Sequence, residues 1–190
     1  MNHYKGFLIN NSFKNHIRIF MLLSEITISQ VNQNDITGFP ATKKRQHITN
    51  TVNARGLKFT PFTQSNNLKV QADTQSSGGQ HYKTDIRFDD VQFVDDDSGI
   101  AVKCDDNEIH NIIPLNARHN DVHLSCDCLD FYYRFATLHF KNDSLEGNPP
   151  PPYIKKTNRP PVNPKNSLGG CKHLIALADK LTQLRILRWD

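Results

Sequence analysis

The stretch Leu68-Lys69-Val70-Gln71-Ala72, answered after a turn by Tyr82-Lys83-Thr84-Asp85-Ile86-Arg87-Phe88, decides the fold class. Leu68, Val70 and Ala72 alternate with polar residues, and Tyr82, Thr84, Ile86 and Phe88 do the same, which is the period of a half-buried β-strand. The residues between them, Thr74 to Gly79, are Ser- and Gly-rich and read as a turn or loop. Downstream, Val91-Gln92-Phe93-Val94 and Ile100-Ala101-Val102-Lys103 flank Asp95-Asp96-Asp97-Ser98-Gly99, a hairpin signal with Gly at its end. Ile109 to Leu115 and Asp121 to Ser125 flank a further turn-like insert, Asn116 to Asn120. From Leu57 onward, the middle of the chain is therefore expected to be an antiparallel β meander.

On the C-terminal side, Phe131 to Phe140 fits a helix through Phe131, Phe135 and Leu138, and equally fits a strand through Phe131, Tyr133 and Phe135. Both remain open. Residues 142–170 hold seven of the ten prolines, including the run Pro149-Pro150-Pro151-Pro152, which favours a stiff polyproline II segment without internal hydrogen bonds. The last element reads as a helix, because Leu174, Leu177, Ala178, Leu181, Leu184 and Arg188 recur at spacings of three or four after Gly169-Gly170. On the N-terminal side, residues 1–53 are rich in Ser, Thr, Asn and Gln with a basic run at Lys43-Lys44-Arg45, and read as an irregular arm. The second methionine, Met21, makes a start codon there an alternative to Met1.

The chain has 190 residues, 37% of them hydrophobic, and a mean hydropathy of −0.58. This suits one domain with long arms and excludes a barrel enzyme. The net charge of +4 conceals three blocks. Residues 1–83 carry ten basic against three acidic residues, 84–108 two against nine, and 109–190 eleven against seven. Alternating blocks favour docking on protein neighbours over coating a polyanion. No stretch approaches a membrane span, and Ile17 to Leu23 is too short and too interrupted by Arg18 for an export signal.

Four cysteines occur, three of them in a pattern: Cys126-x-Cys128, then Cys171-x-His173. Three thiolates and an imidazole are the donor set of a closed tetrahedral zinc site. A disulfide reading leaves a cysteine over and gives the histidine no purpose. Two cysteines separated by one residue can face one ion from a strand or its turn. Cys171 and His173 would point apart inside a helix, so they belong to its first turn, where the helix N-terminus favours thiolate. The alternatives are buried thiols without metal, or an iron–sulfur cluster drawing on Cys104, which otherwise reads as a buried thiol in a strand. His119 and His123 lie near enough in sequence to be substitute ligands, although strand-face or surface positions explain them more simply.

The segments Ser125-Cys126-Asp127-Cys128-Leu129-Asp130-Phe131 and Cys171-Lys172-His173-Leu174-Ile175-Ala176-Leu177 together resemble the SWIM zinc finger, over about residues 121–188. The resemblance implies a β-β-α zinc module with Cys126, Cys128, Cys171 and His173 as ligands of Zn2+. The 42 residues between Cys128 and Cys171 exceed the usual loop and hold the proline segment. The expected fold class is α+β, mainly antiparallel β with this C-terminal module and long irregular arms. The expected divisions are an arm at 1–53, a β domain at 54–120 and the zinc module at 121–190, with a Pro-rich insertion at 142–170.

Catalysis finds little support in the sequence, and an enzyme with an unrecognised site is the third and least favoured reading. A site with three Cys and one His leaves no open position, and no Gly-rich phosphate loop or nucleophile–base spacing stands out. Asp95 to Gly99 lacks the spacing of a helix-loop-helix calcium site and reads as a solvated hairpin tip. Lys155, Lys156, Arg159 and Lys165 punctuate the proline loop as a solvated or docking face. The expectation is a non-enzymatic zinc-binding interaction protein, a subunit of a larger assembly, with a homo-oligomer as one form of it. The run from Cys126 to Ala136, the Pro-rich loop and the Cys171 to Leu177 ending also resemble proteins of tailed bacteriophages, some of them virion components. That resemblance implies a place in head, neck or tail, and in host cytoplasm before assembly. A DNA-binding zinc finger protein is the alternative.

Overall fold

The computed structural model describes residues 52–189, apart from Ser77, Asp97, Pro152, Tyr153, Lys155, Thr157, Arg159, Pro160, Pro164, Lys165 and Ser167. The arm, the choice between Met1 and Met21, and three of the four cations of the proline loop lie outside the described residues.

Strands β1 (Asn53–Phe62), β2 (Asn67–Gln75) and β3 (His81–Phe88) form an antiparallel meander. β4 (Phe93–Val94), β5 (Ile100–Lys103), β6 (Ile109–Ile112) and β7 (Leu115–Asn116) are short, and β8 (Val122–Cys126) returns to pair with β3, giving a sheet of order β1-β2-β3-β8. Helical structure then runs through α1 (Leu129–Phe131), a π-helical turn Tyr132–Ala136 and α2 (Thr137–Lys141). Helix α3 (Lys172–Gln183) and β9 (Leu187–Arg188) complete the chain. The architecture is mixed, mainly antiparallel β with a few helices.

The expected alternation sets the sheet's faces. Val70 pairs with Ile86 and Ile86 with Leu124, while Ala72 pairs with Thr84 and Thr84 with Cys126. This face is buried, and α3 packs across it with Leu174, Leu177, Ala178 and Leu181. A single hydrophobic cluster includes residues from β1 to α3, so both the core and the sheet cross the division drawn at residues 120/121. The opposite face is polar. Lys69 Nζ lies 2.9 Å from Glu146 and 3.5 Å from Asp85, Arg87 lies 3.3 Å from Glu146, and His123 lies 3.0 Å from Asp89. The open edge of β8 is covered by Ser144 to Glu146, through Leu124 N to Ser144 O and Glu146 N to Leu124 O.

Three local expectations are corrected. β4 and β5 do not pair as a hairpin around Asp95 to Gly99; both pair with β6, which lies between them. Gly99 serves a close approach instead, since a Cβ there would lie 2.8 Å from the Ile112 carbonyl oxygen. The strands flanking Asn116 to Asn120 also part company, β7 pairing in parallel with β9 and β8 with β3. Helix α3 stops at Gln183, leaving Leu184 exposed and Arg188 in β9, because Arg185 takes a left-handed conformation (φ 61°) that turns the chain into the strand. The ambiguous stretch Phe131 to Phe140 is helical throughout.

Among the described residues, 142–170 contain no helix and only an isolated bridge from Leu145 to Leu124. The loop lies against its own chain. Tyr132 Oη donates to the Pro151 carbonyl at 3.2 Å and Asn163 Nδ2 to that of Arg134 at 3.3 Å. His139, fully buried, ties its two ends together, with Nδ1 2.8 Å from Ser144 Oγ and Nε2 2.8 Å from the Gly169 carbonyl oxygen.

Candidate metal centre

Cys126 is the last residue of β8, on the sheet face that α3 covers. The ladder runs one bond further, from Asp127 N to Lys83 O at 3.2 Å, so the chain beyond Cys126 leaves along β3. Cys128 then takes extended backbone as the N-cap of α1, where its Sγ accepts from Phe131 N at 3.3 Å. Cys171 occupies the same position at α3, also with extended backbone, and His173 is the second residue of that helix. Each pair thus straddles the junction between extended chain and a helix, as the two-residue spacings require. Two cysteines sit at helix N-termini, where backbone N–H groups and the helix dipole favour thiolate.

The four side chains are brought together. One donor atom from each of Cys126, Cys128, Cys171 and His173 lies within 4.8 Å of all the others, and all four residues are buried. Cys126 Sγ stands 3.8 Å from His173 Nδ1. Zinc bonds of about 2.3 Å to sulfur and 2.0–2.1 Å to nitrogen place tetrahedral ligands about 3.6 Å apart, so the cluster has the dimensions of a metal site. Tyr82, projecting from β3 on the same face, packs its ring against His173 with centroids 4.4 Å apart and planes tilted by 33°, and restrains the imidazole. His173 Nε2 is buried and has no hydrogen-bond partner. Ligation through Nδ1 assigns that nitrogen the ring proton.

The electrostatics of the set favour a cation. Hydrogen bonds from the Cys126 and Cys171 thiols hold Cys128 far below the usual thiol range. Donating to Cys128 raises Cys126, with burial adding to it, and burial is the main cause of the rise at Cys171. Burial opposes negative charge on all three sulfurs unless a cation neutralises it. A cleft of about 400 Å³ between α1 and Pro149 to Pro151 is lined in part by Cys126.

The substitute ligands are elsewhere. His123 pairs with Asp89 and His119 is exposed. Cys104 does not join the cluster, which removes the iron–sulfur reading that drew on it; it lies beside Asp106 and His110 instead. The Asp96 carboxylate accepts from the Ser98 hydroxyl and from Ser98 N and so caps its own turn, and no metal-ligating group gathers at Asp95 to Gly99 among the described residues. The residues that sequence reasoning missed are Tyr82 and His139, whose roles depend on partners distant in the chain. No helix of the described residues is long and apolar enough to cross a membrane. The chain matches no family model, no curated protein and no solved structure.

Proposed function

We propose that this chain is a non-enzymatic zinc protein in which the ion fastens the end of β8 to the start of α3, and that it serves as a subunit of a larger assembly of the tailed-phage virion kind. The observation that carries the zinc reading is the burial of four convergent soft and borderline donors, three thiols and one imidazole, within 4.8 Å of one another. Four protein ligands fill a tetrahedral shell and leave no position for substrate, which supports a structural role over a catalytic one. The exposed apolar side chains Leu129, Tyr133 and Phe140 follow directly on the ligands along one helical stretch and support docking on a protein neighbour.

The test is elemental analysis and melting of the purified full chain. Wild type should carry zinc at the Cys3His centre, Cys171→Ser should lose that equivalent, and both Cys171→Ser and chelation should lower the melting temperature. A melting curve indifferent to chelator would overturn the zinc reading. For the assembly reading, oligomers or co-purifying protein subunits are expected, whereas salt-sensitive retention on DNA would favour the DNA-binding alternative.

A further inference from the structure

The turn joining β5 to β6 gathers a second set of metal-ligating side chains. Cys104 Sγ, an Asp106 carboxylate oxygen and a His110 ring nitrogen all lie within 4.8 Å of one another. The turn's backbone fixes them in place. Cys104 N donates to Glu108 O at 3.0 Å, Asn107 N to Cys104 O at 3.2 Å, and Asn107 adopts a left-handed conformation (φ 68°). Glu108 N takes up Asp106 Oδ1 at 2.9 Å, which leaves Oδ2 to face His110 Nε2 at 2.7 Å. The Phe93 ring stands edge-on to the imidazole at 5.9 Å.

An aspartate–histidine pair on a turn is explained without a metal, and Cys104 packs in the hydrophobic cluster, yet its sulfur stands within 4.8 Å of that pair. Cys104 Sγ makes only a long contact of 3.7 Å to the Val102 carbonyl, yet it is held against an imidazole and a carboxylate. A thiolate, an imidazole and a carboxylate form a donor set suited to zinc or cobalt(II), and poorly suited to magnesium or calcium.

We propose that Cys104, Asp106 and His110 form a second divalent transition-metal site with three protein ligands and a fourth position open to water. The site stands at the margin of the core, its thiol buried and its carboxylate partly exposed, whereas all four donors of the Cys3His centre belong to buried residues. Metal binding displaces the sulfur's proton to solvent. The Asp106–His110 hydrogen bond gives way at the same time, its two atoms separating to about 3.4 Å around the ion. Glu108, whose carboxylate lies 3.9 Å from His110 Nε2, borders the open position.

The proposal does not depend on the Cys3His reading, and the test separates the two. The reduced full chain is brought to equilibrium by dialysis against micromolar zinc, and bound metal is counted for wild type, His110→Gln and Cys104→Ala. Each variant should bind one equivalent fewer than wild type, and with cobalt(II) each should lose the thiolate charge-transfer absorption of that equivalent. His110→Gln alters a partly buried side chain, 18% exposed, outside the hydrophobic cluster and decides the matter if Cys104→Ala fails to fold. A His110→Gln protein that binds as many equivalents as wild type overturns the proposal.

Discussion

His139 sits where two remote stretches of chain meet, and its chemistry there is more specific than its place on a helix implies. Its ring bonds Ser144 on one side and the Gly169 carbonyl on the other, while Phe131 stacks on it at 5.6 Å. The Gly169 carbonyl requires an N–H from Nε2, while the Ser144 hydroxyl, whose oxygen also lies 3.3 Å from the His139 carbonyl, is able either to donate to Nδ1 or to accept from it. Burial drives its pKa below the ordinary 6.5. As pH falls below about 6.5 the unfolded chain takes up a proton that the folded chain refuses, so stability declines until the folded ring also protonates. One such proton contributes a slope of no more than about 1.4 kcal/mol per pH unit. Urea denaturation of wild type and His139→Gln from neutral to mildly acidic pH, in excess zinc, should show the steeper decline in wild type; parallel curves would refute the assignment. The four clustered donors were legible in the sequence because a thiol or imidazole carries its chemistry with it, and the spacing stated how pairs could converge. His139 was not legible, since its partners lie 5 and 30 residues away and become neighbours only once the loop has closed.

At the scale of elements, alternation located β2 and β3 and their inward faces, because a strand with one buried face fixes its register locally. Partners for the short strands were another matter. The acidic run before Gly99 imitates a hairpin tip, but the hairpin that forms is β5–β6, turned by Asn107 in the left-handed region, and β4 joins its far side. The helical period likewise ran past the true end of α3, since Leu184 falls in step with Leu177 and Leu181 although the chain has already left the helix. The two leucines give a direct check. Leu177 is fully buried against the sheet and Leu184 is 44% exposed. Leu177→Ala should cost about 2–5 kcal/mol through lost contacts and a cavity, while Leu184→Ala should stay within about 0.5 kcal/mol. Equal losses in urea denaturation would mean that the helix continues through residue 184. Gly99→Ala tests the strand order: its methyl group has no room against the Ile112 carbonyl, so destabilisation by about 1–3 kcal/mol is expected.

For the molecule as a whole, the two ligand pairs come from elements that already share one core. β8 is an inner-face partner of β3, α3 lies across β1, β2 and β3, and the shared hydrophobic cluster has no seam at residue 120. A finger that folded by itself would release only residues 121–188 when its metal was removed. An ion held by these four donors would join the C-terminal end of β8 to the N-terminus of α3, which packs on β1, β2, β3 and β8, so its loss would loosen the cover of the sheet along with α3. Structural zinc contributes on the order of 10 kcal/mol to folding in small modules, comparable with the whole stability of a domain of this size. Chelation should therefore move the main unfolding transition as one unit. Hydrogen exchange is the measurement that tells the cases apart: amides of β2 and β3 should lose protection together with those of β8 and α3 after zinc is removed. Protection retained in β2 and β3 while α3 exchanges freely would show that the sheet stands without the metal and that the ion serves the C-terminal third alone.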